Sequence, residues 1–143
     1  MKRFFIGLAL LVLLASSFVA FKMLQPVPDD LDLRSEKLTD GGLYSVSFQK
    51  EEGAATVGPI TSFLATVKDT EGKEVESAVI LVDGGMPQHG HGLPTQPKQT
   101  DEVAPGIYRI DGVKFSMTGW WEFRLNINAP FGDDSATFNI VLE

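Results

Sequence analysis

The chain has 143 residues and no cysteine. That absence excludes disulfide bonds, thiolate metal ligands, cysteine nucleophiles and lipid attachment through a lipobox cysteine. Histidine is nearly as scarce, because His89 and His91 are the only two. Neither stands in a nucleophile-elbow sequence, and no serine–histidine–acid order can be assembled around them. We therefore expect a protein that is not an enzyme.

Basic residues are also few. The chain has twelve basic and nineteen acidic residues, for a formal net charge of −7. Lys2, Arg3 and Lys22 precede every acidic residue, so the net charge beyond residue 22 is −10. Such a surface repels nucleic acid and anionic lipid, and it keeps an exported protein soluble. We expect no nucleic-acid partner.

Long apolar runs are absent except at the N-terminus, where small or apolar residues run unbroken from Phe4 to Phe21. Lys2 and Arg3 precede this run, a pattern typical of an export signal. Its 18 residues reach the lower limit for a membrane-spanning helix. Two outcomes stay open, an uncleaved inner-membrane anchor over residues 4–21 or a signal cleaved near Ser17. Both predict a periplasmic, extracytoplasmic domain.

Helical periodicity is absent after this run. Residues 23–42 carry prolines and many charges and are predicted to be a linker, after a signal or anchor over residues 1–22. From Leu43 onward apolar residues alternate with polar ones, as in "LYSVSFQ" and "WWEFRLNIN". Six such segments, and a shorter one around Gln96 to Thr100, predict β-strands separated by turns.

The strand count predicts the fold of residues 43–143. About seven short antiparallel strands in about 100 residues are typical of an immunoglobulin-like β-sandwich, with a closed barrel as the alternative. The alternation assigns one face of each strand to the core. We expect these side chains to be buried: Val46, Phe63, Val67, Ile80, Trp121, Phe123, Leu125, Phe138 and Ile140.

Both histidines lie in "GGMPQHGHGLPTQPK", a glycine-rich segment that follows an apolar strand. In a locally extended chain, His89 and His91 would point to the same side, with Cα atoms roughly 6.5 Å apart. Two imidazoles at that spacing can share one metal ion. Met86 adds a thioether within reach, and Met117 in "KFSMTGWW" is a further candidate. A histidine–methionine set without cysteine suits copper better than zinc or calcium.

Each of these residues also has an ordinary structural interpretation. The histidines can form a polar loop tip, and the methionines can fill gaps in the core. Trp120 lies on the strand face opposite Trp121 and is expected to cover the open side of a sheet. The spacing of His89, His91 and Gln96 is similar to the first metal motif of cupins, but no further histidine follows.

Three segments resemble the YtkA-like domain of exported bacterial proteins, itself similar to the FixH group. They are "VDGGMPQHGHGLPTQPK", "GIYRIDGVKFSMTGWWEF" and "DDSATFNIVL", and the resemblance covers about residues 43–142. It implies an immunoglobulin-like sandwich outside the cytoplasm, often behind a single membrane anchor. FixH-like relatives are linked to assembly of copper-containing respiratory oxidases, which again favours copper.

The sequence is compatible with two functions. The first is copper binding or handling through His89, His91, Met86 and Met117, with an unidentified protein as metal donor or acceptor. The second is a non-catalytic structural or protein-interaction module in which metal plays no part. In both, the N-terminal segment supplies the contact with the inner membrane.

Overall fold

A computed structural model describes residues 26–143 and Ser17. The N-terminal signal or transmembrane helix predicted before the linker lies outside the described residues. Within the described part, no helix is long and apolar enough to cross a membrane. Residues 26–143 contain no helix at all, and nine strands account for their regular structure.

The strands form two antiparallel sheets, in the order β1-β2-β3-β7-β6 and β5-β4-β8-β9. This confirms the predicted all-β antiparallel sandwich and excludes the closed barrel. The strand bounds are β1 Glu36–Leu38, β2 Ser45–Lys50, β3 Ile60–Lys68, β4 Val79–Met86, β5 His91–Gly92, β6 Lys98–Ala104, β7 Ile107–Lys114, β8 Gly119–Ala129 and β9 Gly132–Leu142.

Aromatic side chains join the two sheets. Phe48 of β2 lies 5.6 Å, centroid to centroid, from both Phe123 of β8 and Phe138 of β9. Phe63 of β3 stacks on Phe48 at 4.7 Å. Such tilted and stacked pairs stabilise a core beyond the area that they bury. Eight of the nine side chains predicted as core are buried, whereas Ile140 is partly buried and packs against them.

Two strands escaped the sequence analysis, and both are short. β1 lies in the predicted linker and pairs with β2 through Glu36–Ser47 and Leu38–Ser45. β5 lies inside the predicted histidine loop. A strand of two or three residues at a sheet edge shows no alternation, so its pairing is visible only in three dimensions. The short strand expected around Gln96 to Thr100 is present as β6.

Candidate metal centre

The two histidines sit on a β-hairpin at one end of the sandwich. β4 continues to Met86, residues 87–90 form the turn, and β5 begins at His91. The backbone N–H groups of His89 and Gly90 both donate to the Met86 carbonyl, at 3.1 and 2.9 Å. Gly90 has a φ of 67°, which glycine adopts without strain. We call this end of the domain the histidine end.

Gly84 and Gly85 belong to β4, so the predicted loop begins later than expected. A Cβ atom on Gly84 would lie 2.0 Å from the Glu122 carbonyl oxygen. A Cβ atom on Gly85 would lie 2.3 Å from the His91 carbonyl oxygen. These glycines therefore serve close backbone approach to β8 and β5, rather than the loop flexibility that the sequence suggested.

The histidine rings lie side by side, although the backbone between them turns instead of running extended. Their centroids are 5.9 Å apart and their planes are inclined by 30°. His89 is half-buried and His91 is exposed. The hairpin thus brings the two imidazoles together by a route that differs from the predicted one, and it leaves them open to solvent.

The His91 ring has a defined polar partner. Its Nδ1 atom lies 3.2 Å from the Gly92 carbonyl oxygen. Because a carbonyl only accepts, this contact is a hydrogen bond only when Nδ1 carries the proton. In that tautomer Nε2 has a free lone pair, the form in which imidazole binds a metal.

Met86 lies directly opposite His91 in the β4–β5 register. Opposed residues of antiparallel strands project to the same face, with Cβ atoms about 5 Å apart. That face is the core face, where the Met86 side chain is only 1% exposed. Its Cε atom would lie 3.0 Å from a Cβ atom on Gly119. Met86 is therefore both a neighbour of His91 and part of the core.

Met117 reaches the same region from the β7–β8 connection. Its side chain is 38% exposed. The indole N–H of Trp121 donates to the Met117 carbonyl at 3.1 Å. The Trp121 ring in turn lies 6.2 Å from the His91 ring in an edge arrangement. A single buried indole thus links Met117 to the histidine hairpin.

Trp121 is the site residue whose position sequence reasoning missed. It was predicted as core, and it is fully buried, yet its ring also forms the wall beside His91. The β4–β8 register pairs Gly85 with Glu122, and one further step sets Met86 beside Trp121. The alternation of β8 predicted its burial, but nothing in the sequence pairs residue 121 with residue 91.

Trp120 follows its ordinary structural interpretation. It is half-buried on the outer face of the four-stranded sheet, and its indole N–H donates to Asn139 Oδ1 at 2.9 Å. In the part of the chain that the structure describes, no group of three or more histidine, cysteine or carboxylate side chains converges. Any metal at the histidine end would therefore need thioether, backbone or water ligands beside the two imidazoles.

A groove of about 590 Å³ lies apart from the histidine hairpin, on the outer face of β4, β8 and β9. Exposed Val79 and Leu81 form its apolar part, and Asn126, Asn128 and Asp133 line the rest. No histidine or methionine borders it. The groove adds no ligand to the candidate metal centre.

Comparisons with known proteins identify the domain. No curated protein matches the chain. Among solved structures, a ZirS C-terminal domain is similar with a TM-score of 0.41 and 14% identity, over 80% of this chain and 81% of the other. Residues 36–126 match the YtkA-like family, which covers well over half of the chain and includes β1, the histidine hairpin and most of β8. The chain belongs to the YtkA-like family.

Proposed function

We propose that this protein is an exported, membrane-anchored β-sandwich that binds copper through the β4–β5 hairpin and passes it to or from another protein. His89 and His91 are the primary ligands. Met86 is the third and Met117 the fourth. The protein acts as a non-catalytic metal carrier, in which the two imidazoles bind the metal and do not activate a substrate.

The spacing of the two rings carries this proposal. An imidazole nitrogen binds a metal at about 2.0 Å, which sets the ring centre about 3 Å from the ion. Two rings on one ion therefore have centres roughly 5 to 6.5 Å apart, depending on the bond angle. The observed 5.9 Å lies inside that window. The two ring centres therefore stand at a separation that one ion can bridge.

The ligand set predicts the preferred oxidation state. Thioether ligands are soft and favour Cu(I), whereas two imidazoles completed by water accept Cu(II). Met86 shares a face with His91, and exposed Met117 is connected to the site through Trp121. Full coordination by both methionines would therefore select Cu(I), and loss of the thioethers would shift the preference towards Cu(II).

One observation favours the alternative, a structural or protein-interaction module without metal. Met86 is held in the core at 1% exposure, as a packing methionine would be. In that case the hairpin is a polar docking tip, and its histidines contact a partner protein directly. The two functions differ in one measurable property, saturable copper binding.

Copper titration of the purified protein tests the proposal. We expect one Cu(I) per chain, measured by competition with a chromophoric chelator, and quenching of Trp121 fluorescence when Cu(II) binds beside it. His89→Ala combined with His91→Ala should abolish both signals. Gln88 lies in the same turn and is not a proposed ligand, so Gln88→Ala is the matched control and should retain both copper signals. If copper binding is not saturable, or if the double variant binds copper as well as the parent does, the metal-free module is the function that stands.

A further inference from the structure

The chain enters the domain at the histidine end. The Gln88 side-chain amide, one residue before His89, donates to the Pro26 carbonyl at 2.8 Å. Ser35, at the other end of this entry segment, accepts a hydrogen bond from the Phe48 backbone N–H at 2.8 Å. Residues 26–35 thus begin on the turn that carries His89 and end where β1 starts.

The entry segment crosses the end of the four-stranded sheet. Asn139 of β9 donates to the Asp32 carbonyl at 3.1 Å, whereas Gln88 lies beyond β4 at the other side of the sheet. Crossing from β9 to β5 takes three strand spacings, about 14 Å. The six steps from Pro26 to Asp32 reach about 20 Å, which is enough to span this distance with the turn at residues 29 and 30. Arg34 and Lys37 fix its end through ion pairs with Asp32, at 2.9 and 2.8 Å.

We propose that the histidine end faces the membrane in which the N-terminal run is anchored. Four residues, 22–25, separate that apolar run from Pro26. Whatever their conformation, the chain from Phe21 to Pro26 spans at most about 18 Å. Gln88 contacts Pro26, so the hairpin with His89 and His91 stays within roughly 20 to 25 Å of the bilayer surface.

The apolar surface of the histidine end agrees with this orientation. The histidine end exposes apolar Val57 and Ile60, at 41% and 66%. The Gly58 N–H donates to the Phe115 carbonyl at 2.9 Å, which joins the loop bearing Val57 to the Met117 connection.

This orientation also predicts the kind of partner protein. That prediction rests on the proposed copper function. A metal bound between His89 and His91 lies close to the membrane surface, beside the tether. The partner that receives or supplies it is a membrane-embedded protein whose own soft ligands, thioether or imidazole, stand at that surface.

Fluorescence energy transfer in lipid nanodiscs tests the orientation. The chain lacks cysteine, so Ser116→Cys at the histidine end and Glu71→Cys at the far end each give a single labelling site. Both positions are exposed. The full chain is placed in phosphatidylethanolamine–phosphatidylglycerol nanodiscs with acceptor-labelled lipid headgroups. We expect strong transfer from position 116 and weak transfer from position 71, about 26 Å farther away along β3.

Three results would overturn the proposal. They are equal transfer from the two positions, stronger transfer from position 71, and recovery of the chain without residues 4–21. A variant with about fifteen glycine and serine residues inserted before Pro26 is the control for the tether, and its two labels should give nearly equal transfer. A difference that survives the insertion would mean that the short tether is not what orients the domain. No metal is added, so failure of copper binding leaves this test unaffected.

Discussion

The two ends of the sandwich are built differently. At the far end, two tyrosine hydroxyls and the Asp134 carboxylate tie the connections together. Tyr44 Oη donates to the Gly132 carbonyl at 2.8 Å, and Tyr108 Oη donates to the Val75 carbonyl at 2.5 Å. Asp134 accepts hydrogen bonds from the backbone N–H groups of Gly41 and Leu43, at 2.8 and 3.2 Å. These contacts satisfy backbone groups of the connections and fix them in place.

The histidine end has no comparable network among the described residues. Its hairpin turn is held by two backbone hydrogen bonds to the Met86 carbonyl and by the Gln88 side chain, which donates to the Pro26 carbonyl. His91 and Met117 are exposed there, although Trp121 and Met86 are fully buried just beneath them. The contrast indicates that the far end serves stability, whereas the histidine end places exposed side chains over a buried floor formed by Met86 and Trp121. Changes at the far end should therefore alter folding without altering copper binding.

The largest effect should come from the floor of the histidine end. Met86→Ala removes a side chain that is 1% exposed, and we expect it to lower the free energy of unfolding by about 2 to 5 kcal/mol. Met86→Leu keeps the volume and should cost less than about 1.5 kcal/mol. Urea denaturation followed by tryptophan fluorescence measures both. If Met86 is a ligand, the leucine variant also weakens Cu(I) binding; unchanged Cu(I) affinity would leave Met86 a packing residue.

Tyr108→Phe should give the next largest effect, at the far end. The hydroxyl both donates to Val75 and accepts from the Ala78 N–H at 2.9 Å, so its loss leaves two buried backbone groups without a partner. We expect destabilisation of about 2 kcal/mol in urea denaturation. Tyr44→Phe is the matched control and should cost less, because its hydroxyl is only partly buried. Loss of copper binding in the Tyr108 variant would contradict the separation of the two ends.

Asp134→Ala should cost about 1 to 2 kcal/mol at neutral pH, because three backbone N–H groups lose their acceptor. Burial raises the pKa of Asp134, but hydrogen bonds from Thr39 and these backbone groups outweigh it and lower the pKa to about 2. A depressed carboxyl pKa stabilises the fold above the ordinary value near 4, and this contribution disappears as pH falls towards 2. The difference between variant and parent, measured by urea denaturation, should therefore shrink between pH 4 and 2. A difference that is constant with pH would mean that the charge of Asp134 does not contribute.

The smallest effect on stability should come from the two proposed ligands, His89 and His91. Without metal, His89→Ala combined with His91→Ala should change the free energy of unfolding by less than about 0.5 kcal/mol, since His91 is exposed and His89 is only half-buried at the hairpin turn. With Cu(I) at about 100 times its dissociation constant, the parent should gain about 2.7 kcal/mol and the double variant nothing. Thermal unfolding with and without copper measures this. Copper affinity should also fall with decreasing pH, because protons compete for the imidazole nitrogens.

Sequence reasoning succeeded where a pattern repeats along one strand. The alternation in β8 predicted that Trp121, Phe123 and Leu125 are buried, and all three are. It failed where an element is too short to repeat, as in β1 and β5. It also misjudged Gly84. A glycine that allows close approach to Glu122 and a glycine that gives a loop flexibility look the same in a sequence.

The amino-acid order by itself determined the all-β class, most of the core, and the presence of two imidazoles and two thioethers near glycine-rich turns. These follow from local rules, since side chains on a strand alternate between faces and glycine marks unusual backbone. Only the tertiary structure decided that Met86 shares a core face with His91, that Trp121 forms the wall of the site, and that Pro26 lies on the histidine turn. Each of these depends on strand register or on contacts between distant segments, and such pairings arise only when the two sheets close over one core.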